Sequence, residues 1–301
     1  MVSHFTTGTG VAIVTPFRNG AVDFDGLARL IEHLIAGGID YIVSLGTTGE
    51  TTTLSSKEQL AVLEYTVKKV AARCGVVAGF GGNNTSQLCL SIENFHFEGV
   101  DAILSASPAY NKPTQEGIYR HYMALAEVAP RPIILYNVPS RTASNMTAQT
   151  TLRLAAHGIK AFAGIKEASG DLGQVMHLTK YKPADFNIIS GDDNLTLPMM
   201  ALGASGVISV TANAFPKKMS ELVRAALAGD YDTARQLHFT LQDFTNLLFV
   251  DGNPAGVKGA LEQFDICSRE VRLPLVELTD KTNLAIANEV KKINAISKHS
   301  L

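Results

Sequence analysis

Short, nearly continuous apolar runs recur along the chain, and a longer segment that mixes apolar and polar residues follows each of them. There are eight such runs, and they occupy residues 10–17, 40–46, 75–81, 100–106, 131–138, 160–167, 186–192 and 206–212. Because they are rich in Val and Ile and do not alternate with polar residues, they are typical of strands buried on both faces of a parallel sheet.

The segments between the runs have the spacing of amphipathic helices. Residues 54–75 begin with Ser55 and Glu58, which suit a capping box at a helix start, and residues 147–158 repeat the helical pattern. Residues 24–38 end in glycine, as a helix often does at its C-terminus. If they form a helix, one face of it carries Leu27, Leu30, Ile31, Leu34 and Ile35.

Strands that alternate with helices eight times predict an α/β fold of the (β/α)8 TIM-barrel type. A doubly wound open sheet is the alternative, but it usually has fewer strands and a glycine-rich phosphate-binding turn after the first strand. Here the first predicted strand ends in VTPFRNG, which is not such a turn. From about Pro216 the remaining pattern is entirely helical. We therefore divide the chain into a catalytic barrel (1–224) and a C-terminal helical region (225–301).

Composition and charge exclude several classes of function. The 301 residues are 46% hydrophobic and 18% charged, which suits a large core rather than disorder. A net charge of −2 argues against nucleic-acid binding, and the apolar runs are too short to span a membrane. Three cysteines without a CxxC pair, and an N-terminus without signal-peptide features, predict a cytoplasmic protein.

In a barrel of this kind the active site lies at the carboxyl ends of the strands. Polar side chains follow several of the predicted strands at this point. In chain order they are Thr47, Thr48, Glu50, Tyr110, Tyr136, Arg141, Lys166, Asp192 and Asp193.

Lys166 ends the apolar run of residues 160–167. Side chains alternate along a strand, so Phe162, Gly164 and Lys166 share a face, and the small Gly164 leaves space beside the amine. If that face points into the barrel, burial favours the neutral amine, which is the form that attacks a carbonyl to give a Schiff base. Alternatively, the lysine extends to solvent or pairs with Glu167 or Asp171.

Four further residues have both a catalytic and an ordinary interpretation. Tyr136 can transfer a proton through its phenol, or it is a core aromatic. Thr47 and Thr48 form a polar turn between glycines that can hold a carboxylate, or only a Gly-Thr turn. Arg141 suits bidentate carboxylate binding, or it is a solvated loop charge.

Cofactor and metal motifs are not convincing in this sequence. GFGGNN lacks the third glycine of a dinucleotide-binding fingerprint. Asp192 and Asp193 are adjacent at a strand end, so their side chains point apart, and the histidines show no metal-ligand spacing. We predict no metal site.

Five motifs in order resemble a known family. They are GTTGE (46–50), AYNKP (109–113), YNVPSRT (136–142), GIKEASGD (164–171) and NPAGVK (253–258). Together they are similar to the dihydrodipicolinate synthase family, within the N-acetylneuraminate lyase superfamily of pyruvate-dependent class I aldolases.

The resemblance implies catalytic roles for four side chains. Lys166 forms an imine with pyruvate, while Tyr136, Thr48 and Tyr110 form a proton relay, with Tyr110 reaching the site from a neighbouring subunit. These roles require at least a dimer, and the family's usual state is a homotetramer built as a dimer of dimers.

The resemblance also implies how substrates bind. Thr47 and Thr48 hold the pyruvate carboxylate, Arg141 binds the carboxylate of L-aspartate 4-semialdehyde, and Gly191 and Ile208 line the site. The expected reaction is the condensation of these substrates, a lyase step in lysine and diaminopimelate biosynthesis that needs no cofactor besides the lysine itself. A 2-keto-3-deoxy sugar acid or N-acetylneuraminate-type aldolase is the alternative activity, and a barrel that has lost catalysis is the alternative class.

One departure from the family concerns feedback inhibition. Lysine-inhibited members bind lysine between two subunits through histidine, acidic and tyrosine side chains. The corresponding positions here are Ser56, Gln59, Gln87 and Ala109, and only Asn83 keeps the inhibited type. We predict weak or absent inhibition by L-lysine.

Overall fold

A computed structural model describes residues 6–298 of the chain, with side chains described as far as residue 295. Eight parallel strands close into a barrel, and two short strands form an antiparallel hairpin outside it. The strands are β1 (Gly8–Ala12), β2 (Phe17–Arg18), β3 (Ala21–Val22), β4 (Tyr41–Ser44), β5 (Gly75–Gly79), β6 (Ala102–Ala106), β7 (Ile133–Asn137), β8 (Phe162–Glu167), β9 (Asn187–Ser190) and β10 (Gly206–Ser209).

The (β/α)8 prediction is confirmed, since the barrel strands follow one another around the barrel in chain order and β1 pairs with both β4 and β10. Each apolar run contains one strand, although the first strand begins two residues before its run. Strand β8 lies between β7 and β9, so that Lys166 is paired with Tyr136 on one side and with Ile189 on the other.

Helices surround the barrel and continue beyond it. They are α1 (Phe24–Ala36), α2 (Ser56–Val70), α3 (Thr85–Glu93), α4 (Gln115–Val128), α5 (Pro139–Thr142), α6 (Ala148–Ala155), α7 (Leu172–Tyr181), α8 (Thr196–Ala201), α9 (Pro216–Leu227), α10 (Tyr231–Leu247), α11 (Ala255–Glu262) and α12 (Asp280–Lys298). The predicted capping box is present: Ser55 Oγ accepts from Glu58 N, and the Glu58 carboxylate accepts from Ser55 N.

Two apolar clusters form the core. The larger one fills the layer between the strands and the helices. The smaller one fills the barrel interior, where Tyr41 crosses so close to β1 that a Cβ on Gly10 would lie 2.2 Å from the tyrosine ring. Other members of the interior cluster include Val43, Ile189 and Ile208.

The predicted C-terminal helical extension is present. Helix α9 packs against α10 and β1, and the boundary that we drew at residue 224 falls inside α9. Helices α10 and α11 both pack against α12. A search of residues 6–298 finds no helix with the length and apolar character that a membrane crossing needs.

Candidate active site

Lys166 lies at the carboxyl end of β8 with its side chain among barrel residues. It is 5% exposed, and its Nζ is 4.4 Å from the centre of the Tyr136 ring, which is itself 7% exposed. Neighbouring parallel strands bring the two side chains together, since Lys166 and Tyr136 are register partners. The amine therefore lies against an aromatic wall at the end of the barrel where such folds carry their chemistry.

Neither alternative partner of Lys166 is available to it. Glu167 points away from the barrel interior and accepts from Asn137 Nδ2 at 3.1 Å, from Gln174 Nε2 at 2.9 Å and from Ser169 N at 2.7 Å. Asp171 caps α7 through hydrogen bonds to the backbone. Within the described part of the chain Lys166 makes no ion pair, so its amine is free to react.

Gly191 provides room for the Lys166 side chain. A Cβ at Gly191 would lie 2.7 Å from Ala168 Cβ and 3.1 Å from Lys166 Cε. Contacts under about 3.0 Å force a shift of one of the two groups. A residue larger than glycine at this position would therefore force Ala168 or the backbone to shift and would crowd the Lys166 side chain.

The turn after β4 presents Thr47 and Thr48 to the same region. Residues Thr47–Gly49 form a single 3₁₀ turn that ends at Glu50, whose φ of 52° is left-handed. Thr47 is exposed, whereas Thr48 is 2% exposed and its Oγ1 accepts from Asn253 Nδ2 at 2.9 Å. Since Asn253 occupies the acceptor side of this hydroxyl, the Thr48 proton is free to point elsewhere.

A buried ion pair anchors this turn to the C-terminal helices. Lys258 Nζ donates to Glu50 Oε1 at 2.5 Å and to Glu270 O at 2.7 Å, and both charged side chains are fully buried. The other Glu50 oxygen accepts from Arg272 N at 3.0 Å. Burial lowers the pKa of Lys258 from its ordinary value, and the Glu50 carboxylate opposes that shift.

These elements surround a cavity of about 470 Å³. Arg141 enters it from the segment after β7 and Asp192 from the segment after β9, so that opposite charges flank the strand that carries Lys166. Phe249 at the end of α10 closes part of the wall. Other lining residues include Thr47, Thr48, Tyr136, Lys166, Gly191 and Asn253.

A comparison with known proteins identifies the family. A model described as the dihydrodipicolinate synthetase family matches residues 6–293. This chain belongs to that family. A relative from Parabacteroides distasonis named 4-hydroxy-tetrahydrodipicolinate synthase is 50% identical over 270 residues, covering 89% of this chain and 91% of the relative. A relative of the same name from Phocaeicola vulgatus is 45% identical over 295 residues, covering 97% and 99%.

Solved dihydrodipicolinate synthase structures agree with this assignment. The enzyme from Aquifex aeolicus has a TM-score of 0.92 at 41% identity, with 96% of this chain and 98% of that chain covered. A structure described as the first monomeric dihydrodipicolinate synthase variant has a TM-score of 0.93 at 35% identity, with 96% and 97% covered. The family resemblance of the five sequence motifs is thus confirmed.

Two of the residues expected in this family's active site do not line the cavity. Tyr110 is 92% exposed, with a left-handed φ of 61°, and within one chain it does not reach Lys166. Ile208 is 1% exposed, packs in the interior apolar cluster of the barrel and does not line the cavity. The remaining predicted residues, Thr47, Thr48, Tyr136, Arg141, Lys166 and Gly191, all lie together.

Several supporting residues were not assigned a role from the sequence. Asn253 and Lys258 belong to the NPAGVK motif, which indicated the family without indicating what it contacts. Their partners, Thr48 and Glu50, lie more than two hundred residues earlier. The two motifs GTTGE and NPAGVK thus act as one structural unit.

Proposed function

We propose that this chain condenses pyruvate with L-aspartate 4-semialdehyde to give 4-hydroxy-tetrahydrodipicolinate, with Lys166 as the nucleophile. The observation that carries the proposal is the buried, unpaired amine of Lys166, 4.4 Å from the Tyr136 ring, in a cavity that also contains Arg141. The names of the relatives support the choice of substrates.

In the first step the Lys166 amine adds to the C2 carbonyl of pyruvate, and loss of water gives an imine. A carboxylate beside C2 can be held by the backbone N–H groups and hydroxyls of the Thr47–Thr48 turn. The imine draws electrons from C3, so that loss of a C3 proton gives an enamine. The lysine itself is the electron sink, and no organic cofactor or metal is needed.

Proton transfers in these steps are assigned to Tyr136, Thr48 and Tyr110. Thr48 fits a relay because Asn253 occupies its acceptor side and leaves its proton available to a neighbour. The exposed Tyr110 fits a role in the site of a second subunit. We predict that the protein forms a homotetramer, or at least a dimer. We also predict that it is cytoplasmic.

In the second step the enamine C3 attacks the aldehyde carbon of L-aspartate 4-semialdehyde, and a carbon–carbon bond forms. Arg141 binds the carboxylate of this substrate. The amino group then attacks the imine carbon, closes the ring and releases Lys166. The balance is one pyruvate and one semialdehyde giving one ring product and one water.

A coupled assay that follows reduction of the product by a partner reductase tests this function. Turnover with pyruvate and L-aspartate 4-semialdehyde should vanish in Lys166→Ala and fall about a hundredfold or more in Arg141→Ala. Lys160→Ala, an exposed lysine before the same strand, is the matched control and should keep full activity. Equal activity in Lys166→Ala and Lys160→Ala would contradict the proposal.

The same assay separates the alternative aldolase. If pyruvate is bound covalently but the semialdehyde gives no product, the imine chemistry stands and the second substrate is wrong. Sugar-derived aldehydes are then the next substrates to assay. A protein that neither binds pyruvate covalently nor turns over any aldehyde would instead be a binding barrel.

A further inference from the structure

The cavity carries opposite charges on the two sides of the reactive amine. The strand order places β8, which carries Lys166, between β7 and β9. Arg141 follows β7, Asp192 follows β9, and both line the same cavity. A ligand that reaches the amine therefore lies between a guanidinium and a carboxylate.

Asp192 has no cationic partner in the protein. Its Oδ1 accepts one hydrogen bond, from Asn194 N at 3.0 Å. Among the described residues, no lysine, arginine or histidine forms an ion pair with Asp192 or Asp193. Burial raises the pKa of the Asp192 carboxyl, the hydrogen bond from Asn194 opposes that shift, and the charge of Asp193 adds to it.

Both aspartates have structural contacts, but Asp193 is held by more of them: Asp192 caps the short turn of residues 193–195 through Asn194 N, whereas Asp193 binds three donors of another segment. Its Oδ2 accepts from Val210 N at 2.9 Å, from Thr211 N at 3.0 Å and from Thr211 Oγ1 at 3.1 Å. It thereby joins the segment after β9 to the segment after β10. Asp192, which is half-buried and makes only one such bond, is the carboxylate left to meet a ligand.

The same wall is rich in acceptors that lack donors. Three side-chain oxygens of cavity-lining residues are buried without a hydrogen-bond partner, namely Asp193 Oδ1, Asn194 Oδ1 and Asn253 Oδ1. These oxygens are closed to solvent, so they do not contact a ligand directly, but their partial negative charge favours a cationic group nearby. An ammonium group has three donors and no acceptor, and it carries the charge that Asp192 needs.

From this arrangement we infer that Asp192 binds the α-ammonium group of the second substrate and thereby selects an aldehyde that is also an amino acid. The inference rests on the proposed function and adds the group that distinguishes one aldehyde from another. Arg141 and Asp192 together match the carboxylate and the ammonium of one zwitterion, while Lys166 and its bound pyruvate face the aldehyde.

Two aldehydes that differ only in the ammonium group test this directly. They are L-aspartate 4-semialdehyde, measured by its KM, and succinate semialdehyde, measured by its Ki as a competitor. In Asp192→Asn the KM for the amino substrate should rise about tenfold or more, because a charged hydrogen bond is lost, while the Ki for succinate semialdehyde changes less than about threefold. The ratio of the two constants is therefore the quantity to compare.

Matched variants control for charge and for folding. Asp243→Asn removes an exposed carboxylate of α10 that pairs with Lys292 and does not line the cavity, and it should leave both constants unchanged. Asp192→Glu keeps the carboxylate and should retain most of the preference for the amino substrate. If Asp192→Asn fails to fold, Asp192→Ser carries the test, because it removes the charge and can still accept from Asn194 N, and an unchanged ratio of the two constants in that variant would overturn the inference.

The outcomes separate this inference from the function on which it rests. If the wild-type protein turns over the semialdehyde but Asp192→Asn changes neither constant, or weakens both aldehydes equally, Asp192 does not bind the ammonium and only this inference fails. If the wild-type protein shows no turnover with the semialdehyde, the proposed function fails and this inference falls with it.

Discussion

Gly191 shows how closely a single position controls the reactive lysine. It was expected from the family resemblance only to line the site, whereas the structure shows that its missing side chain leaves space for both Ala168 and Lys166. Such a close approach between strands β8 and β9 is not visible in a sequence, because it depends on the register of the closed barrel.

Gly191→Ala should therefore impair catalysis more than folding. The added methyl group lies 3.1 Å from Lys166 Cε and displaces the amine, which should lower kcat by about tenfold to a hundredfold. The control is Gly81→Ala, where an added Cβ meets nothing within 4 Å. Steady-state kinetics on both variants, with thermal melts, make the comparison, and equal kcat values would show that the space at Gly191 is not needed.

The ion pair that joins the turn after β4 to helix α11 is the contact between elements that is hardest to predict from the sequence. The eight strands follow from the apolar runs, and the start of α2 follows from Ser55 and Glu58, because these signals are local. The Glu50–Lys258 pair joins residues 208 positions apart and exists only once the barrel has closed. The sequence identifies both motifs but contains no local signal that they touch.

Lys258→Met should destabilise the fold. It leaves the Glu50 carboxylate buried without its ammonium partner, and breaking a buried pair in this way costs about 3–5 kcal/mol. Lys217→Met, which removes an exposed lysine from a 3.9 Å surface pair with Glu221, should change stability by less than about 0.5 kcal/mol. Urea denaturation of the two variants measures this difference in stability. Similar midpoints would mean that the Glu50–Lys258 pair contributes little to stability.

At the scale of the whole molecule, the open question is whether Tyr110 acts in the active site of a second subunit. One chain brings together six of the eight predicted site residues, but the exposed Tyr110 and the buried Ile208 do not line the cavity. A residue that acts on a neighbouring subunit cannot be placed from the sequence or from one chain alone. Its role is therefore testable only in an assembly.

Mixing two inactive variants tests the role of Tyr110. If it acts in the partner's site, Lys166→Ala and Tyr110→Phe should each be strongly impaired alone. After exchange of subunits they should recover activity, because a mixed dimer contains one intact site. Random pairing predicts recovery of roughly a quarter of the wild-type sites. Failure to recover, when mass spectrometry shows that mixed dimers have formed, would place Tyr110 outside a shared site.

The predicted lack of lysine inhibition concerns positions that lie between subunits in lysine-inhibited members of the family. Gln59, at one of the substituted effector positions, donates through Nε2 to Thr51 O and Leu54 O at 3.1 Å, and so satisfies its own turn instead of offering a charge. Asn83 is occupied by the Ala109 backbone. We expect initial rates to be unchanged by L-lysine at sub-millimolar concentration, and half-inhibition in that range would contradict this expectation.

Lys166 should react with pyruvate, and two buried lysines among residues 6–295, one at the end of β8 and one in α11, allow a sharp test. Lys166 is 5% exposed without an ion pair, whereas Lys258 is fully buried and bound to Glu50. The protein is incubated with pyruvate, reduced with borohydride and digested, and the modified peptide is located by mass spectrometry. We predict one pyruvate-derived group on Lys166 and none on Lys258. An unmodified Lys166, or an adduct confined to any other lysine, would show that Lys166 is not the nucleophile.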